Sequence, residues 1–199
     1  MTATVAADMR DRLVEAAAAI TCEAGWSAVT MSKVAARAGV SRQTVYNELG
    51  SKPALGQAMV LRELERFLAV VAAELDSHDD LVEAIRSAAE KILVMAAENP
   101  LLHAGLASAP SGSGDGSANG AQLPFRTTDA APVIGAATAV IADRVPSRYP
   151  ALGLTVRELG VAIDAIVRLV LSHVMQPGAD PGATSDDLAW IVARVLGRG

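Results

Sequence analysis

Apolar positions recur along this chain at intervals of three and four, the spacing that lines one face of an α-helix. Leu13, Ala16, Ala17, Ile20 and Ala24 predict a first helix over residues 8–24, with Asp8 as its cap and Gly25 ending it in a left-handed turn. Trp26 and Val29 follow as anchors. Met31, Val34, Ala35 and Ala38 make the inner face of a second helix, 31–38, capped by Thr30 and closed by Gly39. Val45 and Leu49 face inward from a third, 42–49, capped by Ser41. A fourth helix starts at Ser51 with Pro53 in its first turn and runs to about Asp76. Its apolar face includes Leu55, Met59, Leu64, Phe67, Leu68, Val71 and Leu75. A fifth covers 79–98, with acids at its start, and Asn99-Pro100 breaks it.

Beyond that break "LLHAGLAS" predicts a short sixth helix. Residues 108–122 hold four glycines, four serines and no large apolar side chain, the composition of a flexible loop. Helix resumes near Asp129 with Pro132 in its first turn and ends at about Val145, before a second break, "PSRYPALGL". The last two helices are expected over 155–175 and 185–197, separated by "QPGADPGAT". No strand alternation and no internal repeat emerges. The fold class is therefore all-α, with about nine helices.

Composition agrees. The 199 residues are 51% hydrophobic and 20% charged, enough for a real core, and aromatics are only 3%, so that core is aliphatic. The single cysteine, Cys22, excludes an internal disulfide framework and suits a reducing cytoplasm. The N-terminus lacks a signal-peptide layout, and no stretch of 18 uncharged apolar residues predicts a membrane span. A cytoplasmic protein is expected.

Net charge is −5, which taken alone argues against nucleic acid. The distribution argues otherwise. Lys33, Arg37, Arg42 and Lys52 face only Glu48 within residues 30–52. The same stretch reads "TMSKVAARAGVSRQTVYNELGSK": two short helices jointed by one glycine, with small Ala35 where the helices must approach closely. That is a helix-turn-helix pattern. Its second helix is filled with polar tips that no core requires. Arg42 suits guanine O6 and N7, and Gln43 suits adenine N6 and N7. Thr44 suits a thymine methyl or a phosphate, Tyr46 and Lys52 the sugar-phosphate backbone, and Thr30 and Ser41 phosphate at helix N-termini. Lys33 and Arg37 would add to the field on the phosphates.

The run from Thr30 to Leu55, preceded by "EAGWSAV", resembles the TetR family of bacterial transcriptional regulators. Thr30, Val34-Ala35, Ala38-Gly39-Val40-Ser41, Thr44, Tyr46, Leu49, Lys52 and Leu55 fill the family pattern. Asn47-Glu48 replace its usual aromatic or basic neighbours of the tyrosine, and Leu49 stands where phenylalanine is common. The match covers about a quarter of the chain; the rest agrees in length and helical character. The resemblance implies homodimers with three DNA-binding helices at the N-terminus. It implies a helical C-terminal domain that holds an effector, and a dimer interface built by the last two long helices. Ligand would shift the fourth helix and release the operator. On this reading residues 1–52 bind DNA and residues 53–199 bind effector and dimerise.

Other candidates are weaker. Phe67, Met95, His103, Leu106 and Phe125 are candidate pocket residues, equally suited to plain core. Asp164 and Arg168, four apart on an apolar helix, predict an ion pair near a dimer interface, with Leu171, His173, Trp190 and Val195 as further interface candidates. The helices "LGVAIDAIVRLVLSHVM" and "DDLAWIVARVLG" are too apolar to stand exposed on a monomer. No His-x-x-x-His pair, cysteine cluster, G-x-S-x-G or phosphate loop occurs, so no catalytic residue, metal site or cofactor is expected. The reading is a regulator, most simply a repressor, that binds a palindromic operator as a homodimer and is released by a small, fairly apolar effector. An activator or architectural DNA-binding protein without an effector stays open, as does a helical binding module that no longer reads an operator.

Overall fold

A computed structural model describes residues 2–102, 131–178 and 180–197. Among these residues the chain is helical, with no strand. The elements are α1 (Thr2–Ala24), a 3-10 turn (Trp26–Ala28), α2 (Met31–Ala38), α3 (Arg42–Leu49), α4 (Lys52–Ser77), α5 (Leu81–Ala97), α6 (Ala131–Arg148), α7 (Val156–Met175) and α8 (Pro181–Val195). The all-α expectation holds. The predicted loop 108–122 and most of the short helix "LLHAGLAS" lie outside the described residues.

Two compact units divide the chain. The first holds α1, α2, α3 and α4 up to Glu63, together with the helical residues 100–102 that follow Asn99. Its core is the predicted set: Leu13, Ala17, Trp26, Val29, Val34, Val45, Leu55 and Met59 are all essentially buried. Leu101 joins them from far along the sequence. Asn99 places it, accepting the backbone N–H groups of Leu101 (2.9 Å) and Leu102 (3.2 Å) while donating to the buried Glu63 carboxylate at 2.6 Å. The second unit holds the rest of α4 with α5 to α8. There α5 packs on α8 and on α7, and α6 packs on α7. Leu75, Leu81, Ala84, Val145 and Tyr149 form one cluster, and Ile134, Ile163 and Val167 another.

Four local expectations are corrected. First, α1 begins at Thr2, so Asp8 is inside the helix and caps nothing. Second, Gly25 has φ 78° and ψ 161° rather than the left-handed helical values. That region is open essentially to glycine alone, whereas Gly39, at φ 68° and ψ 33°, is in the left-handed well that asparagine also visits. A Cβ at either glycine would meet nothing closer than 4.0 Å, so the cost of substitution is backbone strain. Gly39→Asn should therefore lower stability by less than about 1 kcal/mol, and Gly25→Asn by about 1–3 kcal/mol, in denaturant titrations of the two variants.

Third, α6 runs through Pro146 to Arg148 instead of stopping at Val145. Proline removes an N–H and disfavours helix, but here it sits in the last turn, where tertiary anchors hold the chain. Val145 is 1% exposed, and the Tyr149 hydroxyl reaches the C-terminal end of α4 at the carbonyl of Leu75 (2.8 Å) and, just beyond it, that of His78 (2.9 Å). Ser147 Oγ adds a bond to the carbonyl of Arg144 at 2.9 Å. Fourth, α8 starts at Pro181, four residues before the expected 185. Asp180 caps it by accepting the Gly182 N–H, and proline at the first helical position loses no bond.

Glu74 is a buried acid of the second unit. It accepts from Ser87 Oγ at 2.7 Å and pairs with Lys91, linking α4 to α5. The Lys91 bond, then the Ser87 bond, hold its carboxyl below the ordinary 4.5. The folded chain thus favours the charged form. The stability Glu74 supplies is complete above about pH 4.5, the unfolded value, and fades as pH falls through the lower folded value. Glu74→Gln should unfold more readily than the parent at pH 7, and the gap should close as pH drops below 4.5. Urea titrations at a series of pH values measure this.

Candidate nucleic-acid interface

The turn between α2 and α3 is tied from both sides. Gly39 and Val40 return their N–H groups to Ala36 and Ala35 at 3.3 and 3.0 Å, which closes α2. Ser41 then opens α3, its Oγ accepting the Thr44 N–H at 3.0 Å. Thr30 does the same for α2, accepting the Lys33 N–H at 3.2 Å. Val34 and Val45 are fully buried, so each short helix turns one face to the core and the other to solvent.

Two arginines on α1, which sequence reasoning did not single out, hold the far ends. Arg12 donates to the carbonyl of Ala38 at 3.1 Å, at the C-terminus of α2. Arg10 donates to the carbonyl of Glu48 at 3.1 Å, at the C-terminus of α3. Cations there complement both helix dipoles. The opposite ends differ from those of α5, α7 and α8. Asp80, Glu158 and Asp180 serve the starts of α5, α7 and α8, while α2 and α3 have hydroxyl caps and no acid in their first turns. Both N-termini of the helix pair thus keep their positive partial charge for an external anion.

On α3 the exposed side chains pair with their neighbours one turn on. Arg42 Nη2 donates to the Tyr46 hydroxyl at 3.1 Å, and the guanidinium lies 5.3 Å from the ring centroid. The hydroxyl oxygen accepts from the arginine, so its own O–H is left to donate to a phosphate. Gln43 Nε2 donates to Asn47 Oδ1 at 2.9 Å. The hydroxyls of Ser41 and Thr44 are 2.9 Å apart. Eight residues of helix are about 12 Å long, comparable with the width of a major groove.

The remaining charges are more committed than their sequence positions suggested. Arg37 is held by both oxygens of Glu23, each at 2.6 Å. Lys52 turns back to the carbonyl of Trp26 at 3.0 Å, its ammonium 4.8 Å from the indole centroid, and burial pulls its pKa below the lysine value of 10.5. Lys52 thus serves as a strut between α4 and the 3-10 turn. Thr30 and Lys33 stand exposed at the start of α2. The thiol of Cys22 is pushed up by desolvation, then by Glu63 and Glu23, which disfavours the reactive thiolate.

In the second unit, Phe67 and Met95 are half-buried, whereas His103, Leu106 and Phe125 lie outside the described residues. The predicted ion pair forms, Arg168 Nε to Asp164 at 2.7 Å, on the exposed side of α7. Leu171 packs partly against the Ile163–Val167 cluster, and His173 is half-buried. Trp190 and Val195 stand out on α8 at 62% and 52% exposure, with Arg194 over the indole at 5.3 Å. Val161 and Leu169, exposed on α7, were not among the sequence candidates because helical spacing does not tell an outward stripe from an inward one. Among the described residues no group of three metal-binding side chains converges, and no helix is long and apolar enough to cross a membrane.

Comparison with known proteins matches both parts of the chain. Residues 13–59 match the model of bacterial regulatory proteins of the tetR family, and residues 80–194 that of the bacterial tetracyclin repressor C-terminal domain. The HTH-type transcriptional regulator AlkX of Mycobacterium tuberculosis is 36% identical over 185 residues, 92% of this chain and 83% of that protein. The crystal structure of the TetR family repressor AlkX from a Dietzia strain, implicated in biodegradation of n-alkanes, superposes with a TM-score of 0.74 at 27% identity, covering 94% of this chain and 97% of that one. The fatty acid degradation regulator FadR of Bacillus halodurans shares the fold, with a TM-score of 0.54 at 17% identity over 94% of this chain and 97% of that one.

Proposed function

Because this chain belongs to the TetR family of bacterial transcriptional regulators, we propose that it is a cytoplasmic repressor that binds an inverted-repeat operator as a homodimer. The observation that carries the proposal is α3: a fully anchored helix whose outer face offers Arg42, Gln43 and Tyr46 in paired, ordered positions. One such helix covers a few base pairs, and two heads one helical turn of DNA apart add their contacts. Residues 1–52 supply the DNA contacts, and residues 53–199 supply dimerisation and effector binding. Val161, Leu169, Trp190 and Val195 favour a second copy as the cover of α7 and α8.

The effector is a flexible aliphatic molecule. Two Phe, two Tyr and two Trp in 199 residues leave few rings for stacking an aromatic ligand, while the helices of the second unit are rich in Leu, Ile, Val and Ala. The n-alkane connection of the Dietzia repressor points the same way. Selection of bound DNA from a random pool, using the full chain, tests the reading. An inverted repeat supports it; no enriched site would sink it. Titrating the bound complex with a long-chain alcohol, a fatty acid and a phenol tests the effector class, and release by the phenol alone would overturn it.

A further inference from the structure

We propose that Asn47 and Gln43 act as one reading unit, which recognises two adjacent base pairs of each half-site; the proposal rests on the operator reading above. Both residues are exposed on α3, one turn apart, and Gln43 Nε2 donates to Asn47 Oδ1 at 2.9 Å. That bond uses one amide N–H of Gln43 and leaves Oε1 and the second N–H free. An acceptor beside a donor is the edge that pairs with adenine N6 and N7. The same bond occupies the acceptor of Asn47 and leaves its two N–H groups. They suit a base edge that offers acceptors, thymine O4 or guanine O6 and N7, and they refuse cytosine, which presents a donor. The bond holds the two amide groups side by side, so their free edges can meet pairs one base step, roughly 3.4 Å, apart. Asn47 is thus a positioning residue for Gln43 and a reader in its own right. The family pattern places an aromatic or basic residue there, which would not orient a glutamine amide in this way.

The test is random-pool selection with the full-length parent, Asn47→Ala and Asn47→Asp, together with affinities across a salt series. The parent should select adenine at one half-site position and thymine or guanine beside it. Asn47→Ala should relax both positions, with discrimination at each falling about tenfold, and should leave the salt slope unchanged because no phosphate contact is lost. Asn47→Asp keeps an acceptor for Gln43, so adenine should stay selected while the neighbouring preference turns to cytosine. Circular dichroism should show both variants folded, since the side chain is exposed. The inference fails if the parent selects a site and Asn47→Ala selects the same one, whether affinity is unchanged or falls uniformly with a shallower salt slope. If the parent itself selects no site, the operator reading fails and the inference with it.

Discussion

Arg42→Ala should weaken operator binding strongly at moderate salt while leaving the chain folded and its assembly state unchanged. Arg42 is fully outside the core, and its partner Tyr46 is on the same helix, so truncation opens no cavity. What disappears is the side chain best suited to a guanine edge, together with the group that orients the tyrosine hydroxyl toward phosphate. A bidentate arginine contact contributes about 1–3 kcal/mol of discrimination in each head. Two heads act on one operator, so affinity should fall by at least about thirtyfold. Fluorescence anisotropy with a labelled operator measures the loss, and analytical ultracentrifugation checks the assembly. Tyr46→Phe is the informative companion. It keeps the ring beneath the guanidinium but deletes the hydroxyl, and it should lower affinity for all sequences alike. Unchanged binding by Arg42→Ala would place the DNA contact elsewhere.

Trp26→Ala should have the largest effect on stability, about 3–5 kcal/mol, because it removes the biggest side chain of a small core. The indole is 2% exposed and sits among the residues that support α2 and α3. Its face carries the Lys52 ammonium, and its backbone carbonyl takes the Lys52 bond that ties the start of α4 to the turn after α1. A head of this size is stable by only several kcal/mol, so the variant should populate a partly unfolded first unit at 25 °C. Operator binding should weaken in proportion to the unfolded fraction and recover when DNA is raised in excess. Amide hydrogen exchange would show lost protection in α1 to α3 with protection kept in α5 to α8. Trp26→Phe, which keeps an aromatic plug, should cost far less. Native stability of the head after Trp26→Ala would show that the core is organised around other residues.

The helix-turn-helix was readable from the chain because every signal that builds it is local. Thr30 and Ser41 cap their own helices, Gly39 satisfies its own dihedral angles, and Val34 and Val45 declare their inner faces by spacing alone. The polar outer face of α3 was readable for the same reason, since a helix of eight residues with two buried positions has to expose the others. Tertiary structure decided what those exposed and charged groups are bound to. Nothing near Arg10 or Arg12 in sequence marks them as the partners of carbonyls 38 and 26 residues away. The charge count over residues 30–52 treated Arg37 and Lys52 as free cations, yet Glu23 and the Trp26 carbonyl engage them. Pro146 read as a helix stop, and Val145 and Tyr149, anchored against the end of α4, carry α6 past it. Capping, turn geometry and periodicity are energies between residues a few positions apart, and one sequence holds them all. Ion pairs, carbonyl caps and buried anchors join residues that only the completed packing makes neighbours, and their energies exist only once that packing has formed.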